Sequence, residues 1–545
     1  MLTSKKDMIM KKTILTILTV GVLTFNSCGS LDVAPPNAIS DPQIAAILEG
    51  DDEAKITDVL NAIGGGLAKY FNWYSSSYTG YSALALNTQV DQEFIRSMLG
   101  NDVILGQKSD PLKGGHFVYY DLESKNWQDI TNNQLSAYWN MPVDFYSAAN
   151  KVLKFITADI VAKKPSLKRN RADALVTRAW GYLLLVERFA PAYAQVGDAP
   201  ALPIYTEYKV NPAAEISGSK VVYENIISWL KEAIDLYEAS GVKYTTDVYN
   251  DIDEGVARYL LMRAALEFTD WDTVIENGEK LIEKYNKFIP VANYGASSDD
   301  LDAYAAGTKE INAKNNAFVC AAANPEAILA FPYGGLYNRQ DMYVYGNAFT
   351  ASIGKEFPRI DDRLYNQILS NDVRKKVFTD HAVNYTFVSN ADENITNTIE
   401  IPQYTTLKWA ATQALTETKR TEKTYSDDIV IRSSEVYLML AEAYAQKNDS
   451  KAASTLKKLT DARAVSGSLN YSTTDILQAI KLQWRIEMWL EKGIEFNNNK
   501  RWGVAVDRSG SSIHYSTGKT LSVDDMTIHA PADEQRGNPN WAKVY

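Results

Sequence analysis

Two stretches of this chain repeat one another at a distance. Tyr259-Leu260-Leu261-Met262-Arg263-Ala264-Ala265, continuing through Trp271 to Leu281, aligns without gaps on Tyr437-Leu438-Met439-Leu440-Ala441-Glu442-Ala443, continuing through Asp449 to Leu459. In the second copy Tyr437, Leu440, Ala441 and Tyr444 recur at the i, i+3, i+4, i+7 spacing of an amphipathic helix, and Lys447-Asn448-Asp449 breaks the pattern with turn-forming residues. Ala452, Leu456 and Leu459 form a second apolar stripe, and Ala441, Ala445, Ala452 and Ala453 are small enough to let two helix backbones approach closely. Each copy is a tetratricopeptide-like helix hairpin that cannot bury its apolar face alone, so several must stack. The copies are not tandem, which favours hairpins embedded in one domain over a regular solenoid.

The second copy continues into a longer unit between Ile429 and Gly503. Thr474-Asp475 predicts the cap of a third helix from Ile476 to about Phe496, with Ile476, Ile480, Trp484 and Met488 on one face and Ala479, Ile486, Trp489 and Leu490 beside it. Arg485, Glu487, Glu491 and Arg501 are interleaved with this wide apolar surface, so some of them are expected to pair where the helix end is covered.

Further helices are predicted over Ile44 to Tyr70, Tyr138 to Ala158, Ala172 to Phe189, Val221 to Ala239 and, as a hairpin, Glu254 to Lys287. Gly64-Gly65-Gly66 interrupts the first of these and is not a phosphate loop, because no Gly-Lys-Ser/Thr follows it. Residues 82 to 126 read as loop-rich, and Pro191, Pro200 and Pro203 enforce an extended connector. Phe288 to Ser426 differs in kind, with weak helical periodicity and many turn residues, and reads as an irregular insertion. The expectation is a mainly α fold, a framework of tetratricopeptide-like hairpins carrying a large loop-rich insertion. No Pro/Gly/Ser-rich linker divides the middle of the chain, so residues 42–545 are read as one domain, with the framework at about 42–287 and 427–505 and the insertion at about 288–426.

Residues 1–27 read as a signal peptide. Lys11-Lys12 form a positive n-region, and Ile14 to Phe25 an apolar run too short to span a bilayer. The Ser27-Cys28 junction resembles a lipobox, with Phe25 where Leu is usual, which implies lipidation of Cys28. Residues 28–41 then form an anchored linker in which Pro35-Pro36 holds the chain extended. The formal net charge of −11 becomes −14 without the leader, which carries four lysines and one aspartate, and no long Lys/Arg cluster exists, so nucleic acid is excluded as a partner. Two cysteines, Cys28 and Cys320, cannot supply a disulfide framework, and Cys320 reads as a small buried apolar residue.

The 33 tyrosines are about twice as many as the 16 phenylalanines, and seven of them fall in two short aromatic stretches. Phe71-Asn72-Trp73-Tyr74-Ser75-Ser76-Ser77-Tyr78-Thr79-Gly80-Tyr81 alternates rings with hydroxyls and amides. Phe331 to Gly346 is the densest such cluster, and part of it reads as a strand with Tyr343 and Tyr345 on one face. Rings beside donors and acceptors suit a saccharide, whose C–H faces stack while its hydroxyls need partners. Trp73, Tyr78 and Tyr81 form one candidate stacking set, and Tyr337, Tyr343 and Tyr345 another, with Asn338 and Arg339 bonding hydroxyls; aromatic packing under loops is the competing reading. His116, His381, His514 and His529 lack metal-ligand spacing, and no Ser or Cys nucleophile has a recognisable motif around it, so neither a metal nor another cofactor is expected. Asp299-Asp300-Leu301-Asp302 lacks the Gly and terminal Glu of an EF-hand loop and reads as a solvated acidic loop.

Ser434 to Tyr444, Trp484 to Gly493 and Lys500-Arg501-Trp502-Gly503 together resemble the carboxy-terminal half of the SusD/RagB family. Trp484 stands where the family's Arg-Arg-x-Glu-Leu pattern has its first Arg, Lys492 is additional before the Gly, and Asn497 to Asn499 replace the usual Asp. The resemblance extends to Cys28-Gly29-Ser30-Leu31-Asp32, Gln89 to Glu93, Trp139 with Phe145 and Ala149-Asn150, Arg171 to Tyr182, Asp372-Val373-Arg374 as a structural Asp-x-Arg element, and Asn538-Pro539. It implies an outer-membrane, surface-exposed lipoprotein that captures glycans for a SusC-like, TonB-dependent transporter, and it implies no enzyme. It transfers no sugar-contacting residue, because in the family these sit in variable loops. A helical-repeat scaffold for a protein partner is the alternative. A glycoside hydrolase, which needs two carboxylates across a cleft, has no motif in its favour.

Overall fold

The computed structural model describes residues 39–64, 67, 89–104, 131, 133–208, 213–241, 249–309, 311, 315–331, 358–388, 396–410, 427–471, 475–514, 517–518 and 520–544. The chain divides into two compact units, residues 1–62 and 63–545. The first unit carries the helix Asp41–Glu49, entered through Ser40, whose backbone N–H donates to Gln43 Oε1 at 2.8 Å. The single helix expected from Ile44 onward is broken after Glu49, and a new one runs Glu53–Gly64. Gly50 is extended and Asp52 Oδ1 accepts the Lys55 N–H at 3.2 Å, which restarts the helix.

In residues 63–545 the main helices pack in a continuous sequence. Asn133–Phe155 packs on Lys168–Phe189, which packs on Ser219–Ser240, then come Glu254–Glu267, Trp271–Lys284, Ser433–Gln446, Lys451–Asp461 and Ile476–Glu487. The repeated segments are two hairpins of this stack, and the second half of one packs against the first half of the other. Asn448 takes a left-handed φ of 56° in the turn of the second hairpin, as its position between two helices requires. Ala441, Ala445 and Ala452 are buried as expected, whereas Ala453 faces solvent. Close approach recurs at Gly181, where a Cβ would lie 2.7 Å from the Pro142 carbonyl oxygen.

The third helix departs from expectation. Ile476–Glu487 ends at Met488, and a separate helix Ile494–Trp502 follows. Between them Leu490, Lys492 and Gly493 adopt φ of 60°, 55° and 61°. The break releases the carbonyls of Glu487 and Trp489, which accept from Lys408 Nζ at 3.2 and 3.3 Å. Burial of cations there outweighs the helix-favouring periodicity of the sequence. Asp475 caps the first helix as expected, accepting the Leu477 N–H at 2.9 Å.

Two loop assignments are corrected. Within residues 82–126, Gln89–Met98 is a helix. Its polar face is buried rather than solvated: Gln92 Nε2 donates to the Ala137 carbonyl at 3.1 Å, and Arg188 Nη1 donates to Gln92 Oε1 at 2.8 Å. The 288–426 insertion contains regular elements, among them the helix Ser298–Ala305 and an antiparallel hairpin of Val383–Val388 with Thr396–Ile401. Strand Ala327–Phe331 pairs antiparallel with Asp428–Arg432, and Arg359–Ile360 pairs with Val103–Ile104. The 191–203 connector is extended only at Pro200–Pro203, after a one-turn helix Tyr193–Val196. Cys320 is free and buried.

Candidate functional site

The residues singled out for ligand contact, Trp73, Tyr78, Tyr81, Tyr337, Asn338, Arg339, Tyr343 and Tyr345, lie outside the described residues, as does the lipidation candidate Cys28. One of the two aromatic stretches begins at the end of a described strand. Strand Ala327–Phe331 leads directly into it, and Glu326, at the start of that strand, is wholly buried.

Among the described residues, Glu326 belongs to a set of four cations and four carboxylates that pair with one another. Arg463 Nη2 donates to Glu326 Oε1 at 2.6 Å and to Glu487 Oε1 at 2.9 Å. Arg432 Nη1 donates to Glu487 Oε1 at 2.6 Å and to Glu326 Oε2 at 3.1 Å, while its Nε and Nη2 reach the two oxygens of Glu491, each at 2.8 Å. Arg374 forks onto Asp372, with Nη2 to Oδ2 at 2.6 Å, and reaches Glu487 Oε2 at 3.2 Å. Lys408 completes the set on Glu491. Burial alone would raise the Glu487 carboxyl, yet Arg463, Arg432 and Arg374 hold it well below the usual carboxylate range. Burial pushes the Lys408 ammonium down to about 8, against the pull of Glu491.

Asp372-Val373-Arg374 is thus structural, as the sequence reading held. The other interleaved charges also pair. Arg485 grips Asp102 with Nε at 2.8 Å and Nη2 at 2.5 Å, and Arg501 grips Glu442 with Nη1 at 2.5 Å and Nη2 at 3.0 Å. Trp484, in place of an arginine, donates its indole N–H to Glu442 Oε2 at 3.1 Å, and the additional Lys492 donates to Glu435 Oε2 at 2.7 Å. Asn498, one of the three replacing asparagines, accepts from Arg501 Nη2 at 3.0 Å.

Beside this network lies an open cleft of about 180 Å³. Ala292, Gly295, Ala296, Ile311 and Ala410 line it together with the polar Asp300, Lys309, Asn315 and Asn316. Asn316 ties two lining segments together, its Nδ2 donating to the carbonyls of Lys408 at 2.9 Å and Ala410 at 3.1 Å. The stretch read as an acidic loop is instead the first turn of the Ser298–Ala305 helix. Ser297 and Asp300 cap it reciprocally, with Asp300 Oδ2 accepting the Ser297 N–H at 2.9 Å. Lys309 Nζ bonds Asp300 Oδ1 at 2.5 Å. Burial works to raise the Asp300 carboxyl, but the bonds from Lys309 and Ser297 prevail and lower it.

One turn beyond Asp300 on that helix, Tyr304 stacks on Tyr385 of the strand hairpin, with centroids 5.5 Å apart and planes at 27°. His381, at the foot of the same hairpin, contacts Asp380 Oδ1 at 2.7 Å and Asp302 Oδ1 at 3.2 Å, and these carboxylates raise its pKa. The sequence reading took Asp300 as part of a solvated acidic loop and did not single out Lys309, Tyr304 or Tyr385. The Ser297-x-x-Asp300 capping pattern was the available signal, whereas the meeting of Tyr304 with Tyr385 joins residues 81 apart. Among the described residues, no group of three or more His, Cys, Asp or Glu side chains is arranged to hold a metal.

Two family models match the chain. The SusD family covers residues 290–545, and a model described as starch-binding associating with outer membrane covers residues 31–247. The chain belongs to the SusD/RagB family, whose SusD-like members are non-catalytic, carbohydrate-binding proteins associated with the outer membrane. A search of curated proteins gave no match. Among solved structures, a SusD-like carbohydrate binding protein from Bacteroides vulgatus is 20% identical, with TM-score 0.63 over 90% of this chain and 98% of its own. A SusD superfamily protein from Bacteroides thetaiotaomicron is 19% identical, with TM-score 0.58 over 92% and 99%. Another from Parabacteroides distasonis is 14% identical, with TM-score 0.60 over 90% and 98%. These likenesses establish the mainly α, SusD-like fold expected from the hairpin repeats.

Proposed function

We propose that this protein captures glycans at the cell surface, anchored to the outer membrane by acyl chains on Cys28, and passes oligosaccharides to a SusC-like, TonB-dependent transporter. The observation that carries the reading is the match of SusD-family models to both halves of a chain whose fold is shared over about nine-tenths of its length.

Calorimetric titration of the mature protein with plant, host and microbial oligosaccharides, each mixture checked for cleavage, tests the reading. Binding without products is expected, and alanine at Trp73, Tyr78, Tyr81, Tyr337, Tyr343 or Tyr345 weakens it without unfolding the chain. Products, or silence across the panel, overturn it. Loss of palmitate labelling in Cys28→Ala, and co-purification of a barrel transporter with the wild-type chain, test the anchor and the partner.

A further inference from the structure

We infer that a seam between three helices is a binding site for one small monovalent anion, chloride in the first instance, held by Arg96, Arg188 and Asn497. Each of these residues is more than nine-tenths buried, and each carries polar hydrogens without a partner: on Nη1 of Arg96, Nε and Nη2 of Arg188, and Nδ2 of Asn497. The fold places them along one seam. Arg188, at the end of the Lys168–Phe189 helix, spends Nη1 on Gln92 Oε1 at 2.8 Å and on the Tyr138 carbonyl at 3.1 Å. Arg96 follows Gln92 by one turn on the same face of the Gln89–Met98 helix. Opposite them, Gly493, Asn497 and Lys500 share one face of the Ile494–Trp502 helix and its cap. A Cβ on Gly493 would lie 2.9 Å from Arg96 Cβ, and Lys500 reaches the carbonyls of Glu187 and Ala190, on either side of Arg188 in the chain. Asn497 lies between those two contacts.

A buried donor without a partner forfeits its hydration, so such groups are met by an acceptor. Charge decides which acceptor. Arg374, Arg432 and Arg463 each hold a carboxylate, whereas Arg96 and Arg188 form no ion pair among the described residues. Glu187, the carboxylate next to Arg188 in the chain, is forked by Arg263, with both bonds at 3.0 Å. The Tyr138 ring, 5.2 Å from the Arg188 guanidinium, is an aromatic neighbour and no counter-charge. Glu93 and Glu187 act on both arginines without pairing with them, yet burial prevails: Arg96 is lowered, and Arg188, which also feels the charge of Arg96, is pushed down to about 10. Both guanidiniums therefore stay charged at neutral pH. A water molecule satisfies the donors and leaves two adjacent charges uncompensated, whereas chloride answers both needs. Exclusion from solvent favours a small monovalent ion over sulfate or phosphate, whose second charge raises the cost of dehydration.

Urea denaturation of the full chain at fixed ionic strength, with chloride replacing gluconate, tests the site together with anomalous scattering from crystals grown in bromide. An anion bound only by the folded state stabilises it by mass action, so the urea midpoint should climb with chloride. At chloride tenfold above its dissociation constant, the folding equilibrium constant rises about elevenfold. Asn497→Asp puts an internal carboxylate among the same donors and should flatten that dependence, while general salt effects act on both proteins alike. The bromide peak should sit within hydrogen-bonding reach of Arg96 Nη1 and of Arg188. Where Asn497→Asp does not fold, the wild-type titration and the crystal decide alone. A midpoint indifferent to chloride, or one that climbs equally in both proteins, overturns the site. So does a bromide-grown crystal with no anomalous peak between the two guanidiniums, and an oxygen found in its place would assign the donors to water.

Discussion

Arg432 and Glu487 meet twice: Nη1 donates to the carboxylate at 2.6 Å, and Nη2 donates to the backbone carbonyl of the same residue at 2.7 Å. Both side chains are fully excluded from solvent. The second bond is available because the helix ends at Glu487, so the break between the two C-terminal helices and the charge network stabilise one another. Such a network gains little over an apolar core while intact and is costly to break at one member.

Glu487→Gln removes one charge and leaves Arg374, Arg432 and Arg463 with three carboxylates among four cations. The expected loss is about 3–5 kcal/mol of folding free energy, read as a lower urea midpoint with an unchanged slope. Saccharide affinity of the folded fraction should not change, since the Glu487 side chain is excluded from solvent. The sign of the pH dependence follows from the lowered Glu487 pKa: its contribution is present above the unfolded carboxylate value of about 4.3 and is lost as pH falls below it. Equal acid sensitivity of wild type and Glu487→Gln would contradict this.

Glu442 offers a graded comparison. It accepts from Arg501, from the Trp502 indole at 2.9 Å and from the Trp484 indole at 3.1 Å. Arg501→Met leaves a buried carboxylate without its cation and should cost about 3–5 kcal/mol. Trp484→Phe removes one neutral donor from a carboxylate that stays paired, and should cost about 1–3 kcal/mol including lost packing. Thermal melts of the two variants check the order. A larger loss in Trp484→Phe would show that the indole is the principal partner of Glu442.

The helical framework was legible because its signal is local. Tyr437, Leu440, Ala441 and Tyr444 point inward wherever the hairpin is placed, and all are buried. What the sequence hid were places where polar residues are buried. Gln92, Glu93 and Arg96 look like a solvated segment until Ala137, Tyr138 and Arg188 close over the helix they lie on. Leu490 and Lys492 carry no residue-level warning of a left-handed backbone, which the buried carbonyl contacts of Lys408 and Arg432 accompany. The cleft was hidden for a different reason, because its lining joins Gly295 and Ala410 from segments more than a hundred residues apart. Ring-and-amide composition drew attention to the two aromatic stretches, and composition cannot locate a site that a fold assembles from single residues.

Gly181 tests how tightly the framework is packed. Its position in the Lys168–Phe189 helix places a hypothetical Cβ 2.7 Å from the Pro142 carbonyl oxygen and 3.1 Å from the Tyr146 nitrogen, both backbone atoms that cannot rotate away. Alanine favours an isolated helix over glycine by about 1 kcal/mol, but overpacking here should outweigh it and leave Gly181→Ala less stable by about 1–3 kcal/mol. A rise in melting temperature would mean that the two helices separate without penalty.

Lys500 gives the framework a titration at alkaline pH. Its Nζ donates to the carbonyls of Glu187 at 3.0 Å and Ala190 at 2.5 Å, and both bonds survive when the amine is neutral. Burial, reinforced by the charge of Arg96 and opposed by Glu267 and Glu187, pushes its pKa down to about 7. An unfolded lysine titrates near 10.4, so between about pH 7 and that value the unfolded chain binds the extra proton. The contribution of Lys500 is therefore largest above the unfolded value, declines as pH falls through this window and is constant below about 7. Urea denaturation of wild type against Lys500→Met isolates it from other alkaline groups. The wild-type advantage should grow by an amount on the order of 3–5 kcal/mol from pH 7 to 10. A difference independent of pH would show that the ammonium stays charged in the folded state, with Glu187 and Glu267 dominating the carbonyl cage.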